Sequence, residues 1–333
     1  MKDNLLPFEK ARREIIVKKS SETSDKYGCS PEKRPISEYI NLGIINIDKP
    51  KGPTSHQVSA YVQKIMNVDK GGHSGTLDPK VTGVLPVAIG KATRIVQALL
   101  VAGKEYICLM HLHKEMSEEQ IKKVMKDFTG KITQLPPLKS AVKRQWRERN
   151  VYYIDILEMA GQDVLFLIGC QAGTYIRKIC HDIGIAMGCG AHMAELRRTK
   201  AGPFDESSIV TLQDLTDAYW YYKNEGNEKY LRHVVQPVEN AVRHLHKVWI
   251  LDTTVNTVCH GADLAVPGIS KLNSGIEPED IVAIMTLKDE LVALGEARVT
   301  SKDIMQYDRG IAIKTRKVFL EPGTYPKVQR KEN

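Results

Sequence analysis

A change of texture near Trp249 constrains the fold of this chain more than any other feature. Upstream, apolar residues recur at helical and at strand spacing by turns. Downstream, short strands ("DIVAIMTL", "ELVALGEARV", "GIAIKTRKVFL") are separated by Gly, Pro and Asp, which reads as a small, mostly β, barrel-like module. In the upstream part "LGIINID" reads as a strand. Thr54 and Gln57 then form a capping box before a helix with Val58, Val62, Ile65 and Met66 on one face. "VLPVAI" reads as a strand and "KATRIVQALLV" as a helix. "EYICLMHL" alternates, with Tyr106, Cys108, Met110 and Leu112 on one side. Ser117 and Gln120 cap a helix that Gly130 should close as its C′ residue. "VYYIDIL" and "VLFLIGC" read as a strand pair, and "TYIRKICHDIGIAMG" and "TLQDLTDAYWYYKN" as helices. The fold class is α+β: a mixed, largely antiparallel sheet with flanking helices, then the β module. The expected boundaries are an N-terminal extension over 1–36, a main domain over 37–247, the β module over 248–327 and a tail over 328–333. The extension is polar and reads as a flexible or partner-tethered arm.

Charge narrows the partners. The formal net charge is +8, and five basic residues face one acid between Lys139 and Arg149. Such an excess suits polyanions, nucleic acid before membrane, although solvated faces would read the same way. No apolar run approaches the length of a membrane span, and the charged N-terminus has no signal-peptide core. Six cysteines without a CxxC fit a reducing compartment. The expectation is a soluble cytoplasmic protein.

Several chemistries are missing. "GVLPVAIGKAT" has glycines at 83 and 90, too far apart for a phosphate-binding loop, and Ala follows its Lys. No GxGxxG follows a strand. Cys180, His181, Cys189 and His192 include one ligand-like spacing, but Cys180 lies beside a buried helical stripe, so no metal is expected. The segment "GHSGTLDPKVTG" instead fixes a single carboxylate, Asp78, between Leu77 and Pro79 among glycines. Such an Asp is aimed rather than free. It fits a catalytic acid, and equally an Asx-turn or a helix cap.

Five ordered segments between residues 44 and 204 carry a resemblance. "GHSGTLDPKVTGVLPVAIGKATR" resembles the catalytic motif of the TruB family of pseudouridine synthases. "INIDKPKGPTSHQV" looks like that family's first motif, "GKEY" its tyrosine motif, "AGTYIRKICHDIG" its arginine motif and "AHMAELRRTKAGPF" its leucine segment. "HGADLAVPGI" and the strands after it are similar to a PUA RNA-binding domain. "LHKEMSEEQI" replaces the TxTxDxxG-like stretch usual in bacterial members. With the N-terminal arm and "EPGTYP", this resembles the dyskerin-like branch that forms the catalytic subunit of box H/ACA particles. The absence of a lysine-rich tail resembles the archaeal form.

The resemblance implies an isomerase that breaks the N1–C1′ bond of uridine, turns the uracil and rejoins it through C5, with no cofactor. Asp78 would be the essential carboxylate, as nucleophile or as base at the sugar. Arg177 would keep it ionised and oriented, unless it is an ordinary surface arginine. Tyr106 would stack on a flipped uracil and assist at C5; from its strand alone, a core tyrosine is the rival. Tyr175 and Leu196 would pack around the base, with His73 near the flipped nucleotide. "KSAVKRQWRERN" (139–150) resembles a mobile loop whose Lys143 and Arg144 hold phosphates. The implied partners are box H/ACA guide RNA, rRNA and tRNA substrates, and the small core proteins of the particle. Two rivals stay open: a stand-alone tRNA synthase, and a non-catalytic RNA-binding scaffold.

Overall fold

The structure is a computed structural model and describes residues 4–136 and 143–326. The tail over 328–333 and residues 139–142 of the basic loop lie outside the described residues.

A ten-stranded sheet carries the upstream part. Its main path runs Gln236–Pro237, Gly43–Lys49, Thr82–Ile89, Ala191–Ala201, Lys104–Leu112, Asp163–Cys170, Arg147–Ala160 and Gly130–Gln134. Every pairing but one is antiparallel. The exception joins Thr82–Ile89 to Ala191–Ala201 in parallel through Thr82 with Arg197 and Gly83 with Arg198. At this seam an ideal Cβ on Gly83 would lie 2.2 Å from the Arg198 carbonyl oxygen, so only glycine fits. Beyond the seam the same edge is open until Gly71–His73 pairs with Val87–Ile89. Pro86 lies in the opening. Its carbonyl accepts from Ser74 N (3.0 Å) on that edge, so its ring nitrogen also faces the gap, and no ladder bond is lost.

The Lys104–Leu112 strand buries Tyr106, Cys108, Met110 and Leu112, as its alternation requires. The capping boxes Thr54–Gln57 and Ser117–Gln120 open the helices Ser55–Met66 and Glu118–Asp127. Gly130 does not close the second of these. The helix stops at Asp127, and Gly130 (φ +99°) opens the next strand instead. "KATRIVQALLV" divides into a 3₁₀ segment, Gly90–Ile95, and a short helix, Val96–Val101.

The seven-stranded sheet of the β module includes His246–Ile250, Ile269–Asn273, Ile281–Met285, Leu291–Ala297 and Ile311–Val318. Two short helices, Asp252–Cys259 and Ser301–Gln306, accompany it. Its outer face is continuous with the upstream core: Trp249, Ala283, Met285, Leu291, Leu294 and Phe319 pack in one cluster with Leu42, Ile44, Val84 and Ala88.

The N-terminal extension is not a loose arm. Leu6 is fully buried. Ile15–Val17 forms an edge strand of the β module, antiparallel to Ile269–Asn273. Thr23 Oγ1 and Ser24 N donate to Asp252 at 3.0 and 2.9 Å. Arg34 makes a buried fork to Glu239, with contacts of 2.9 and 2.6 Å, and Glu239 also accepts from Leu291 N at 2.7 Å. The polar residues that suggested freedom are the ones that tie the arm across both sheets.

Candidate active site

The turn over residues 74–83 is anchored on both sides of Asp78. Ser55 Oγ, at the start of the Ser55–Met66 helix, accepts from Leu77 N (2.8 Å) and donates to Leu77 O (3.2 Å). Lys49, fully buried at the end of its strand, donates to Pro50 O (2.9 Å), Pro79 O (3.2 Å) and Val81 O (2.8 Å). Gly52 N adds a bond to Pro79 O (2.8 Å), and Val81 N closes the turn onto Asp78 O (3.0 Å). Leu77 and Val81 are buried with Tyr106 and Ile176 in one core cluster, and Leu196 packs against it. That packing fixes where the side chain between Leu77 and Pro79 points.

It points at Arg177. The guanidinium of Arg177 and the carboxylate of Asp78 form an ion pair, and about half of each side chain stays exposed. Arg177 is the second residue of the Ile176–Ala186 helix, which buries Ile176, Ile179, Cys180 and Ile183 on its other face. Tyr106 lies within electrostatic reach of Asp78 and beside the Arg198 guanidinium. Burial raises the Tyr106 hydroxyl above its usual value of 10, against the lowering effect of Arg198. The phenol therefore stays protonated at neutral pH, which favours stacking and hydrogen bonding over proton acceptance.

No role at this turn was read from the sequence for Arg198, which lies in a basic cluster with Arg197 and Lys200, nor for Lys104 or Lys49. Arg198 is buried in the open edge beyond the seam and donates from Nε to Val84 O (2.7 Å) and from Nη2 to Gly75 O (3.3 Å). Lys104 donates to Leu99 O, Leu100 O and Ala102 O at 2.9, 3.3 and 2.7 Å. Burial, then Arg198, pushes its ammonium down to about 7. Lys49 is lowered by the same two causes, opposed by Asp78. Each of the three cations rests on carbonyl oxygens rather than on a carboxylate. Arg198, Lys49 and the protonated fraction of Lys104 leave a positive field around the turn, the sign that suits a polyanionic substrate.

The remaining expected residues are more scattered. His73 accepts weakly from Gly75 N (3.4 Å), and burial, Arg198 and His56 hold it below its usual range, so its ring is neutral. Tyr175, the N-cap of the arginine helix, is half-buried. Lys143 and Arg144 are exposed on the segment leading into the Arg147–Ala160 strand. The metal-like residues diverge: Cys180 Sγ lies 3.6 Å from Cys108 Sγ in the core, while His192 bonds His113 at 3.0 Å on the surface. Among the described residues no three ligands converge, and no helix is long and apolar enough to cross a membrane.

Comparison with known proteins identifies the family. The family model for the N-terminal domain of TruB family pseudouridylate synthases matches residues 63–176, and that for the C-terminal domain of tRNA pseudouridylate synthase B matches 177–243. A DKCLD (NUC011) domain matches 3–59 and a PUA domain 246–319. The probable tRNA pseudouridine synthase B of Methanopyrus kandleri is 59% identical over 326 residues, covering 98% of this chain and 96% of its own. The chain belongs to the TruB family of pseudouridine synthases. The corresponding protein of Pyrococcus furiosus is 57% identical to this synthase over 330 residues, covering 99% of this chain and 97% of its own. Among solved structures, a chain of an H/ACA RNP bound to a substrate RNA containing 2′-deoxyuridine superposes with a TM-score of 0.93 at 55% identity, covering 98% of the synthase and 100% of that chain. A chain of a Cbf5–Nop10–Gar1 complex superposes with a TM-score of 0.94 at 57% identity, covering 97% and 99%.

Proposed function

We propose that this synthase converts uridine to pseudouridine in RNA as the catalytic subunit of a box H/ACA particle, with the Asp78–Arg177 pair as its reacting centre. The observation that carries the assignment is the pair itself. A single carboxylate sits on a turn whose backbone is clamped by Lys49 and Ser55, faces a guanidinium, and lies within electrostatic reach of a buried tyrosine. In this reading the target uridine is flipped into the space beside Tyr106, which stacks on the uracil, with Leu196 and Tyr175 around it and His73 near the nucleotide. Asp78 acts at the sugar where the N1–C1′ bond breaks. The uracil turns, C5 bonds to C1′ in place of N1, and the proton lost from C5 is balanced by one taken up at N1, so the product is an isomer. Arg177 holds Asp78 in line, and Lys143 and Arg144 bind phosphates.

The partners follow from the relatives. Those structures are an H/ACA RNP bound to a substrate RNA and a complex with Nop10 and Gar1, and the same partners, with a guide RNA, are proposed here, in the cytoplasm. tRNA is a second substrate, acted on without a guide, in keeping with the names of the curated relatives. Residues 37–247 would house the chemistry and 248–327 would dock RNA.

Asp78→Asn tests the assignment, since it keeps size and removes charge. Pseudouridine is measured after incubation with tRNA and, separately, with guide plus target RNA. Turnover should vanish in both while RNA affinity stays within about threefold of wild type. Retention of a tenth of the wild-type rate would refute the role of Asp78.

A further inference from the structure

We infer that Gln134 is a positioning residue for the Asp78–Arg177 pair, coupling the basic hairpin to the helix that carries Arg177. The inference rests on that pair being the reacting centre. Gln134 is the last residue of the Gly130–Gln134 strand and is only 3% exposed. Its amide nitrogen donates to Tyr175 O at 3.1 Å, and its Oε1 accepts from Tyr175 N at 3.0 Å. One planar carboxamide thus satisfies the C=O and the N–H of a single residue, a match that needs a donor and an acceptor on the same group.

Tyr175 is where the arginine helix begins. The Tyr175 side chain makes no capping hydrogen bond to the first turn. The Tyr175 carbonyl also receives Lys178 N (3.0 Å) and Ile179 N (3.1 Å), so it is the fixed point of the first turn. Arg177 lies within that turn. Its side chain is 58% exposed and that of Asp78 51%. An ion pair so open to water is too weak to set its own geometry. The backbone must set it, and Gln134 grips that backbone two residues before Arg177.

The other side of Gln134 faces the hairpin. Its strand partner is Arg147, and Lys143, Arg144 and the 67%-exposed Trp146 stand on the segment just before. A phosphate pulling on these cations strains a strand pair whose terminal residue holds Tyr175. RNA engagement at the hairpin and alignment of Arg177 on Asp78 therefore communicate through one buried side chain.

The test uses the full chain and its RNA, with single-turnover rate at saturating RNA, RNA Kd and thermal melting read for each variant. Gln134→Ala should slow the single-turnover step roughly tenfold to a hundredfold, the range that two lost buried hydrogen bonds give, with Kd within about threefold of wild type. In an Arg177→Ala background the same substitution should cost nothing further, because Gln134 acts through Arg177. Gln134→Glu keeps the acceptor and regains the donor only when protonated, so its rate relative to wild type should recover as pH falls while that of Gln134→Ala stays flat. This variant also serves where the alanine variant does not fold. A Gln134→Ala protein that melts lower yet turns over at the wild-type rate would overturn the inference, as would an equal slowing with and without Arg177. If Arg177→Ala alone leaves the rate unchanged, the assignment of the pair fails first and this inference falls with it.

Discussion

Replacing Arg34 by methionine should destabilise the synthase by about 3–4 kcal/mol. Arg34 is 1% exposed and Glu239 9%, and the guanidinium meets the carboxylate as a two-pronged fork. Removing one partner of a buried pair leaves an uncompensated charge, which costs about 3–5 kcal/mol. Glu239 would retain its bond from Leu291 N, which places the expectation in the lower part of that range. Equilibrium guanidinium denaturation, with Trp146 and Trp220 replaced by phenylalanine and the fluorescence of Trp249 followed, reads the loss close to the joint, since Trp249 packs in the core shared by the two sheets and its Nε1 donates to Asp289 (2.7 Å). The double variant Arg34→Met with Glu239→Gln removes the stranded charge and keeps an acceptor for Leu291 N. It should recover most of the loss. A single variant that costs less than about 1 kcal/mol, or a double variant no more stable than the single, would refute the claim that this pair locks the arm in place.

Two other outcomes follow from buried groups. Burial holds His244 down to about 4, so as pH falls from about 6.5 the unfolded chain takes up this proton first, and stability should decline by about 1.4 kcal/mol per pH unit towards pH 4. His244→Gln should flatten that slope in denaturation curves taken across the window; an identical slope would assign the protons elsewhere. Ending the chain at Lys247 strips Trp249, Ala283, Met285, Leu291, Leu294 and Phe319 from the shared core. For most of these the loss is of order 1.5–3 kcal/mol each, together comparable with the whole stability of a domain. The truncated protein should aggregate or melt far below the intact chain, and a wild-type melting temperature would show the two sheets to be independent.

What the sequence made legible was local. Thr54 with Gln57, Ser117 with Gln120, and the alternation from Tyr106 to Leu112 are satisfied within a few residues, so their patterns survive in one dimension. Asp78 and Arg177 lie 99 residues apart, and their meeting was suggested by a family resemblance rather than by spacing. The buried cations stand inside segments that carry the same resemblance, yet nothing in the residues marked them as buried. Lys49, Lys104 and Arg198 look like surface residues in a basic chain, and their partners are carbonyl oxygens, which every residue possesses. Gln134 was silent for the same reason: both its bonds end on the backbone of Tyr175. The extension misled because polarity was read as solvation. Thr23, Ser24 and Arg34 spend theirs on Asp252 and Glu239, more than 200 residues away.

That stitching has a consequence for how the chain is made. Ile15–Val17 leaves the ribosome well before its strand partners, Lys271–Asn273, which are synthesised some 250 residues later. At about 5–20 residues per second the segment waits roughly 12–50 seconds without its neighbour. Throughout that interval Ile15, Ile16 and Val17 form an unpaired apolar edge, the kind of surface that recruits other nascent chains. The β module therefore completes its edge only by capturing a strand made some 250 residues earlier, and the synthase closes late in its own synthesis.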